Sequence, residues 1–279
     1  MEKTIVLNIK WGKEKTWERL LRIERVINTI YEMLTKPLSK YATKIITRLP
    51  FSSFFFRPLF LNEIFMALGL WEPYVHGNLP LNEGDVFIDI GAHIGLYTVY
   101  ASQTVGKDGL VIAIEPDRRN LAVLHKNLEA IKTNNVLVYE AAAGFNGFLY
   151  LSPQKNPLLT KTSKSIDASE QNRVPSISLD SLLEEVTNKE YKSHSIVIKV
   201  DVEGGELDVI KGGISFLNHL SPILIVETWN PDELKRVLGK LGYVCNQLLA
   251  PYYVCHKKEQ VVWLGECMHA KGKSQVEKS

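Results

Sequence analysis

A mostly parallel α/β sheet domain behind a helical N-terminal extension is the fold this sequence predicts, on three observations. From residue 85 onward, short apolar runs alternate with helix-like stretches, as expected of strands covered by helices on both faces. The first run, "VFIDIG" at 86–91, carries an aspartate and a glycine at its end and passes directly into "IGLYTVYASQTV". Near the end of the chain, "YYVCHK" and "QVVWLGE" read as strands with no helix between them, so the sheet should finish in an antiparallel hairpin.

The elements follow in order. Residues 16–48 space Trp17, Leu20, Leu21, Ile23, Val26, Ile27, Ile30 and Leu34 as amphipathic helices do, with Pro37 as a break. The Phe-rich stretch "FSSFFFRPLFLNEIFMALGLW" is interrupted at its centre by Arg57, Pro58, Asn62 and Glu63. Charge at that depth opposes a membrane span, so a helix packed on the main domain is expected. After "VFIDIG" come a strand "LVIAIEP" (110–116), a helix "RRNLAVLHKNLEAI" and a strand "VLVYEAAAG" (136–144). Polar residues 152–175 read as loop. "SIVIKVDVEGG" (195–205) is the fourth strand, followed by the short helix "ELDVIKGG"; "PILIVETWN" (222–230) precedes the helix "PDELKRVLGKLGY". The expected organisation is a helical extension over 1–75, basic and then Phe-rich, the sheet domain over 76–270, and a polar tail over 271–279.

Composition excludes more than it selects. The 279 residues are 45% hydrophobic and 23% charged with a net charge of +2, ordinary globular values. Residues 1–50 carry eleven basic side chains against five acidic ones, so residues 1–70 could touch anionic lipid or a partner. No basic stripe with interleaved aromatics accompanies the strand ends, which disfavours nucleic acid as substrate. Three cysteines without CxxC spacing suggest reduced, buried thiols rather than a disulfide framework or structural zinc. The first residues show no apolar core with a small-residue cleavage site, so a cytoplasmic location is expected, with peripheral membrane contact through residues 1–70 as an option. Oligomeric state has no signature in the sequence.

The opening turn, Asp89-Ile90-Gly91-Ala92-His93-Ile94-Gly95, carries the first chemistry. In open α/β sheets, ligands sit beyond the carboxyl ends of the strands. Gly91 allows a tight turn and close approach, and Gly95 lets the next helix pack closely and present its first amides to an anion. A dinucleotide fingerprint would need glycine where His93 stands, and Asp89 would repel a pyrophosphate. Twenty residues after Gly95, Glu115-Pro116 ends the second strand, where an acid accepts hydrogen bonds from ribose hydroxyls. A nucleoside bearing a cation and a carboxylate is indicated. S-adenosylmethionine matches, with its ammonium at Asp89, its carboxylate at the helix start and its ribose at Glu115. Glu140 and Ala141, ending the third strand, would face the adenine.

The second motif, "IVIKVDVEGGELDVIKGG", sets Lys199 and Asp201 in or beside the fourth strand, with Glu203 and Glu206 around Gly204-Gly205. Buried charges are costly unless paired or used. A Lys199 salt bridge that fixes the turn, a proton acceptor for a nucleophile, and an acid cluster for a divalent cation all fit; the spacing allows a cation without indicating one.

"GDVFIDIGAHIGLYT", "AIEPDRRNLAVLHKN", "AAAGFNGFL" and above all "IKVDVEGGELDVIKGG" resemble the FkbM-type S-adenosylmethionine-dependent methyltransferases over roughly residues 70–230. The resemblance implies the class I methyltransferase (Rossmann-like) fold, with seven strands and a C-terminal antiparallel hairpin. It implies O-methylation of a hydroxyl on a sugar, glycolipid or natural product. It places Asp89, Gly91, Gly95 and Glu115 at the cofactor and Asp201 and Glu203 near the methyl group. Asp201 is then the first choice of base and Glu203 the second. The rival readings are an NAD(P)-dependent Rossmann oxidoreductase and a non-catalytic scaffold docked to a membrane or partner.

Overall fold

The computed structural model describes residues 46–48, 54–152, 161–163, 172–187 and 195–260. Most of the expected helices of 16–48, the strand expected at 260–266 and the polar tail lie outside them. Thr47–Arg48 (β1) pairs antiparallel with Phe55–Phe56 (β2), followed by helices Leu61–Ala67 (α1) and Pro73–His76 (α2). Part of the Phe-rich stretch is therefore strand rather than helix, since Arg57 and Pro58 delay the helix start to Leu61. The sheet domain then runs β3 (Val86–Ile90), α3 (Leu96–Val105), β4 (Leu110–Ile114), α4 (Arg118–Ile131) and β5 (Val136–Tyr139).

A small sheet of β6 (Ala142–Gly144), β7 (Gly147–Ser152), β8 (Lys161–Ser163) and β9 (Arg173–Ser178) follows, in the order β6-β9-β7-β8. It takes up the end of the run "VLVYEAAAG" and part of the stretch expected to be loop. The chain continues through α5 (Leu183–Thr187), β10 (Ile196–Val200), α6 (Glu206–Lys211), α7 (Ile214–Leu220), β11 (Ile223–Glu227), α8 (Pro231–Gly239), β12 (Tyr243–Leu249) and β13 (Tyr252–Lys257).

The main sheet has seven strands in the order β5-β4-β3-β10-β11-β13-β12, with β13 antiparallel to both its neighbours. This is the class I methyltransferase arrangement. The hairpin is real, but the partner of "YYVCHK" is the preceding Tyr243–Leu249 rather than "QVVWLGE". Chain order reverses between β3 and β10, which lie side by side, so a crevice opens at their carboxyl ends, where open α/β sheets take ligands.

Strand alternation sorts the side chains into two layers. Ile88, Ile90, Ile112, Ile198, Val200, Leu224 and Val226 pack on the face carrying α6, α7 and α8. Phe87, Val111, Val197 and Ile225 pack on the face carrying Tyr97, Ala101 and Val105 of α3. Asp89, Lys199 and Glu227 have the parity of the second set, so the polar residues of three adjacent strands emerge on one face at one end. Among the described residues, no helix is long and apolar enough to cross a membrane. Cys245 and Cys255 face each other across β12 and β13 and form a disulfide. That corrects the expectation of reduced thiols: direct opposition on antiparallel strands brings the two Cα atoms to 4.1 Å.

Candidate functional site

The opening turn is built almost wholly from backbone. Gly91 (φ 85°), His93 (φ 52°) and Gly95 (φ 89°) all take left-handed conformations. A Cβ on Gly91 would stand 1.8 Å from the Asp201 carbonyl oxygen. What crowds Gly91 is thus the end of β10. A Cβ on Gly95 would stand 2.4 Å from Leu124 Cδ1, so this glycine lets α3 and α4 close together, as its spacing suggested. Gly91 and Ala92 donate to the Ile114 carbonyl, and His93 N–H donates to Glu115 Oε2 at 2.8 Å. The start of α3 has no side-chain cap, leaving first-turn amides for an anion.

Asp89 is 1% exposed. Its Oδ2 accepts from Thr98 Oγ1 at 2.6 Å, while Oδ1 is buried without a partner. Burial pushes its pKa up, against the pull of Lys199. An orphaned carboxylate oxygen beside uncapped helix amides fits the ammonium and carboxylate of an amino acid.

Glu115 Oε1 accepts from Asp117 N–H and Asn120 Nδ2, and Oε2 from His93 N–H. A carboxylate offers about four acceptor positions, so one remains, on Oε2, where both ribose hydroxyls were expected to bind. Burial raises this carboxyl to about 7 against those hydrogen bonds. Pro116 follows at the rim. Ala141 N–H is committed to the Tyr139 carbonyl, and the Glu140 carboxylate is exposed and meets His125 Nε2 at 3.4 Å. Adenine contact through the Ala141 amide is therefore closed, because the chain turns there from β5 into β6.

The second cluster differs from the expected one in membership. Lys199 Nζ bonds Asp201 Oδ2 at 2.7 Å and lies 4.5 Å from the centre of the Tyr97 ring. Burial opposes its charge, but Asp201, Glu72 and Asp89 outweigh it and hold the ammonium ionised. Burial also opposes ionisation of Asp201, yet Lys199 and a hydrogen bond from Glu227 hold its carboxyl below the usual range. Burial and the Asp201 charge push Glu227 up to about 10, so Glu227 keeps its proton at neutral pH. Tyr97 donates to Glu72 Oε2 at 2.6 Å; the Tyr252 hydroxyl lies between Glu72 and Glu227. Glu203 instead enters a left-handed turn (φ 54°), and Glu206 turns back to accept from Gly204 N–H.

Asp89 and Glu227 join Lys199 because alternation brings every second residue of adjacent strands to one face, and Glu72, just before α2, is drawn in by the Tyr97 and Tyr252 hydroxyls. Glu72, Tyr97, Glu227 and Tyr252 escaped the sequence reading; the apolar-face parity of "PILIVETWN" could have signalled only Glu227. Among the described residues, no group of three or more His, Cys, Asp or Glu side chains is arranged to hold a metal ion. With Glu227 protonated, the carboxyls of Glu72, Asp89 and Asp201 still outnumber the one ammonium of Lys199, an acid excess to which a cationic ligand is complementary.

Residues 89–245 match the family described as "Methyltransferase FkbM domain". A curated protein of Sulfurisphaera tokodaii, described as "Probable cobalt-precorrin-6B C(15)-methyltransferase (decarboxylating)", is 44% identical over 63 residues, 23% of this chain and 33% of that protein. The chain thus matches about a third of that relative's length. A solved FkbM methyltransferase from Methylobacillus flagellatus KT superposes with a TM-score of 0.43 at 16% identity, over 81% of this chain and 59% of that one. Aeropyrum pernix fibrillarin, solved with natively bound S-adenosyl-L-methionine, gives a TM-score of 0.39 at 10% identity, over 64% of this chain and 68% of that one. The family match spans more than half of the sequence, and the chain belongs to the FkbM methyltransferase family, enzymes whose methyl donor is S-adenosylmethionine.

Proposed function

We propose that the protein methylates a hydroxyl of a sugar, glycolipid or related natural product, with Asp201 as the base. The observation that carries this reading is the ionised Asp201 carboxylate at the carboxyl end of β10, its own carbonyl against Gly91 of the cofactor turn. Asp89, the first turn of α3 and Glu115 would hold the ammonium, carboxylate and ribose of S-adenosylmethionine. Bound there, the cofactor supplies an electrophilic methyl group on a sulfonium.

A hydroxyl that took the methyl group, with the S–CH3 bond breaking and S-adenosylhomocysteine leaving, would become strongly acidic, and Asp201 would receive its proton. Asp201 needs only to be ionised and aligned, and a depressed pKa does not disqualify it as the proton acceptor. Lys199 and protonated Glu227 fix its orientation from two sides. Alignment supplies much of the rate, since well-oriented reactants save about 7–11 kcal/mol. Trp229, two residues beyond Glu227 and 76% exposed, offers a ring face of the kind that packs on the C–H surface of a sugar. The family assignment sets aside the oxidoreductase reading.

The test is incubation with S-adenosylmethionine and a panel of free sugars, glycolipids and hydroxylated polyketides, read by mass spectrometry. Gain of one methylene on a hydroxyl supports the reading; methyl transfer only to carbon, nitrogen or RNA overturns it.

A further inference from the structure

Residues 54–67 precede the family-matched region, yet they reach its cofactor turn. Asn127 of α4 clamps the backbone of Phe55, accepting from its N–H and donating to its carbonyl, and also donates to the Ile94 carbonyl within the turn. Arg57 and Glu63 are both fully buried and form an ion pair. The Arg57 backbone amide also donates to Glu63 Oε2 at 2.7 Å. A buried pair is weak evidence for stability, because desolvation offsets its attraction. Its outward bonds are more informative. Arg57 Nη2 donates to Asn120 Oδ1 at 2.8 Å and lies 3.4 Å from His93 Nε2, while Nη1 donates to the Arg119 carbonyl.

Each of the first two contacts leads to the same carboxylate. Asn120 uses its amide nitrogen on Glu115 Oε1, and His93 uses its backbone N–H on Glu115 Oε2. Because Arg57 already binds the Asn120 oxygen, the amide must present its NH2 to Glu115. His93 Nε2 stands between Arg57 Nη2 and Glu63 Oε1, the latter at 3.5 Å, so the ring is seated against the ion pair whichever nitrogen carries its proton. Burial and the Arg57 charge keep that imidazole neutral. We infer that Arg57, held by Glu63, is a positioning residue that aims the free Oε2 acceptor of Glu115 at the ribose of the cofactor. This rests on the assignment of Glu115 to the ribose.

The test is calorimetric binding of S-adenosylhomocysteine, and of its analogue lacking both ribose hydroxyls, to wild type, Arg57→Lys, Glu115→Gln and the double variant, all checked for native circular dichroism. Lysine keeps the charge beside Glu63 but lacks the fork. Arg57→Lys should weaken S-adenosylhomocysteine about tenfold, equivalent to about 1.4 kcal/mol. It should leave the analogue unchanged and add nothing to Glu115→Gln, as coupled residues do. Equal weakening of both ligands, full additivity or unchanged binding by folded Arg57→Lys would overturn the inference. Glu115→Gln binding both ligands as wild type does would instead sink the ribose assignment, and the inference with it. Should Arg57→Lys not fold, Asn120→Asp keeps the acceptor for Arg57 but removes the donor to Glu115. The same loss is expected, with the same outcomes overturning the inference.

Discussion

Replacing Gly91 by alanine perturbs the junction on which both halves of the site depend. The new Cβ would meet the Asp201 carbonyl oxygen at 1.8 Å and its carbon at 2.9 Å. Ordinary contact needs roughly 1.5 Å more separation. The carboxyl ends of β3 and β10 must therefore part, which strains the bond from Asp201 N–H to the Ile90 carbonyl. A left-handed alanine costs about 1–2 kcal/mol, overpacking about 1–3 kcal/mol, and an unmade buried hydrogen bond about 1–3 kcal/mol. These overlap, so the expected loss is about 3–5 kcal/mol, a large share of the ~5–15 kcal/mol that holds a domain folded. Gly204→Ala is the control: its φ is 107°, but no atom lies within 4 Å of the added Cβ, so only the backbone cost of about 1–2 kcal/mol applies. Urea denaturation reads both variants, and calorimetry with S-adenosylmethionine reads the site. Gly91→Ala should lower the midpoint well beyond Gly204→Ala and abolish measurable binding. A Gly91→Ala protein as stable as Gly204→Ala, binding cofactor normally, would refute the close-approach reasoning.

Two further outcomes follow from the same geometry. Glu115 has its carboxyl raised to about 7, and a ribose hydroxyl bonds the ionised form more strongly than the neutral one, so cofactor affinity should rise with pH through about 7 and level off above it. Below that, calorimetry should show up to about tenfold loss per pH unit, and Glu115→Gln should flatten the profile; a flat wild-type curve contradicts the assignment. The Cys245–Cys255 bond predicts that unfolding without reductant exposes one thiol to iodoacetamide, and that reduction exposes all three. Three adducts without reductant would show that the pair is not bonded.

The parts legible in the sequence were those with a local signature. "VFIDIG" joins the apolar run, the turn and the helix start in one stretch, and Glu115 falls at a fixed distance beyond it. Lys199 and Asp201 stood out because charge inside an apolar strand is costly. The rest depends on contacts that spacing does not encode. Glu72 joins the site only because Tyr97 of α3 and Tyr252 of β13 both reach its carboxylate, across 180 positions in the second case. Glu203, next along the same motif, looked like a member of the cluster, but its left-handed backbone ends the alternation that would have carried it there. Arg57 read as a breaker of an apolar stretch, and its partners Asn120 and His93 become visible only once α4 lies beside the turn. The cysteine pair required knowing which strand pairs with β13, and the hairpin was assigned to the wrong neighbour.

The central claim is that the turn holds S-adenosylmethionine while Asp201 takes the proton from the attacking hydroxyl. Its most direct test is Asp201→Asn, with cofactor binding measured by calorimetry and methyl transfer to the identified acceptor by mass spectrometry. Asparagine keeps the size of the side chain but cannot accept the proton, so cofactor affinity should stay within a few-fold of wild type while turnover falls about 100-fold or more. Full turnover in the variant, or parallel loss of binding and turnover, would contradict that division of labour.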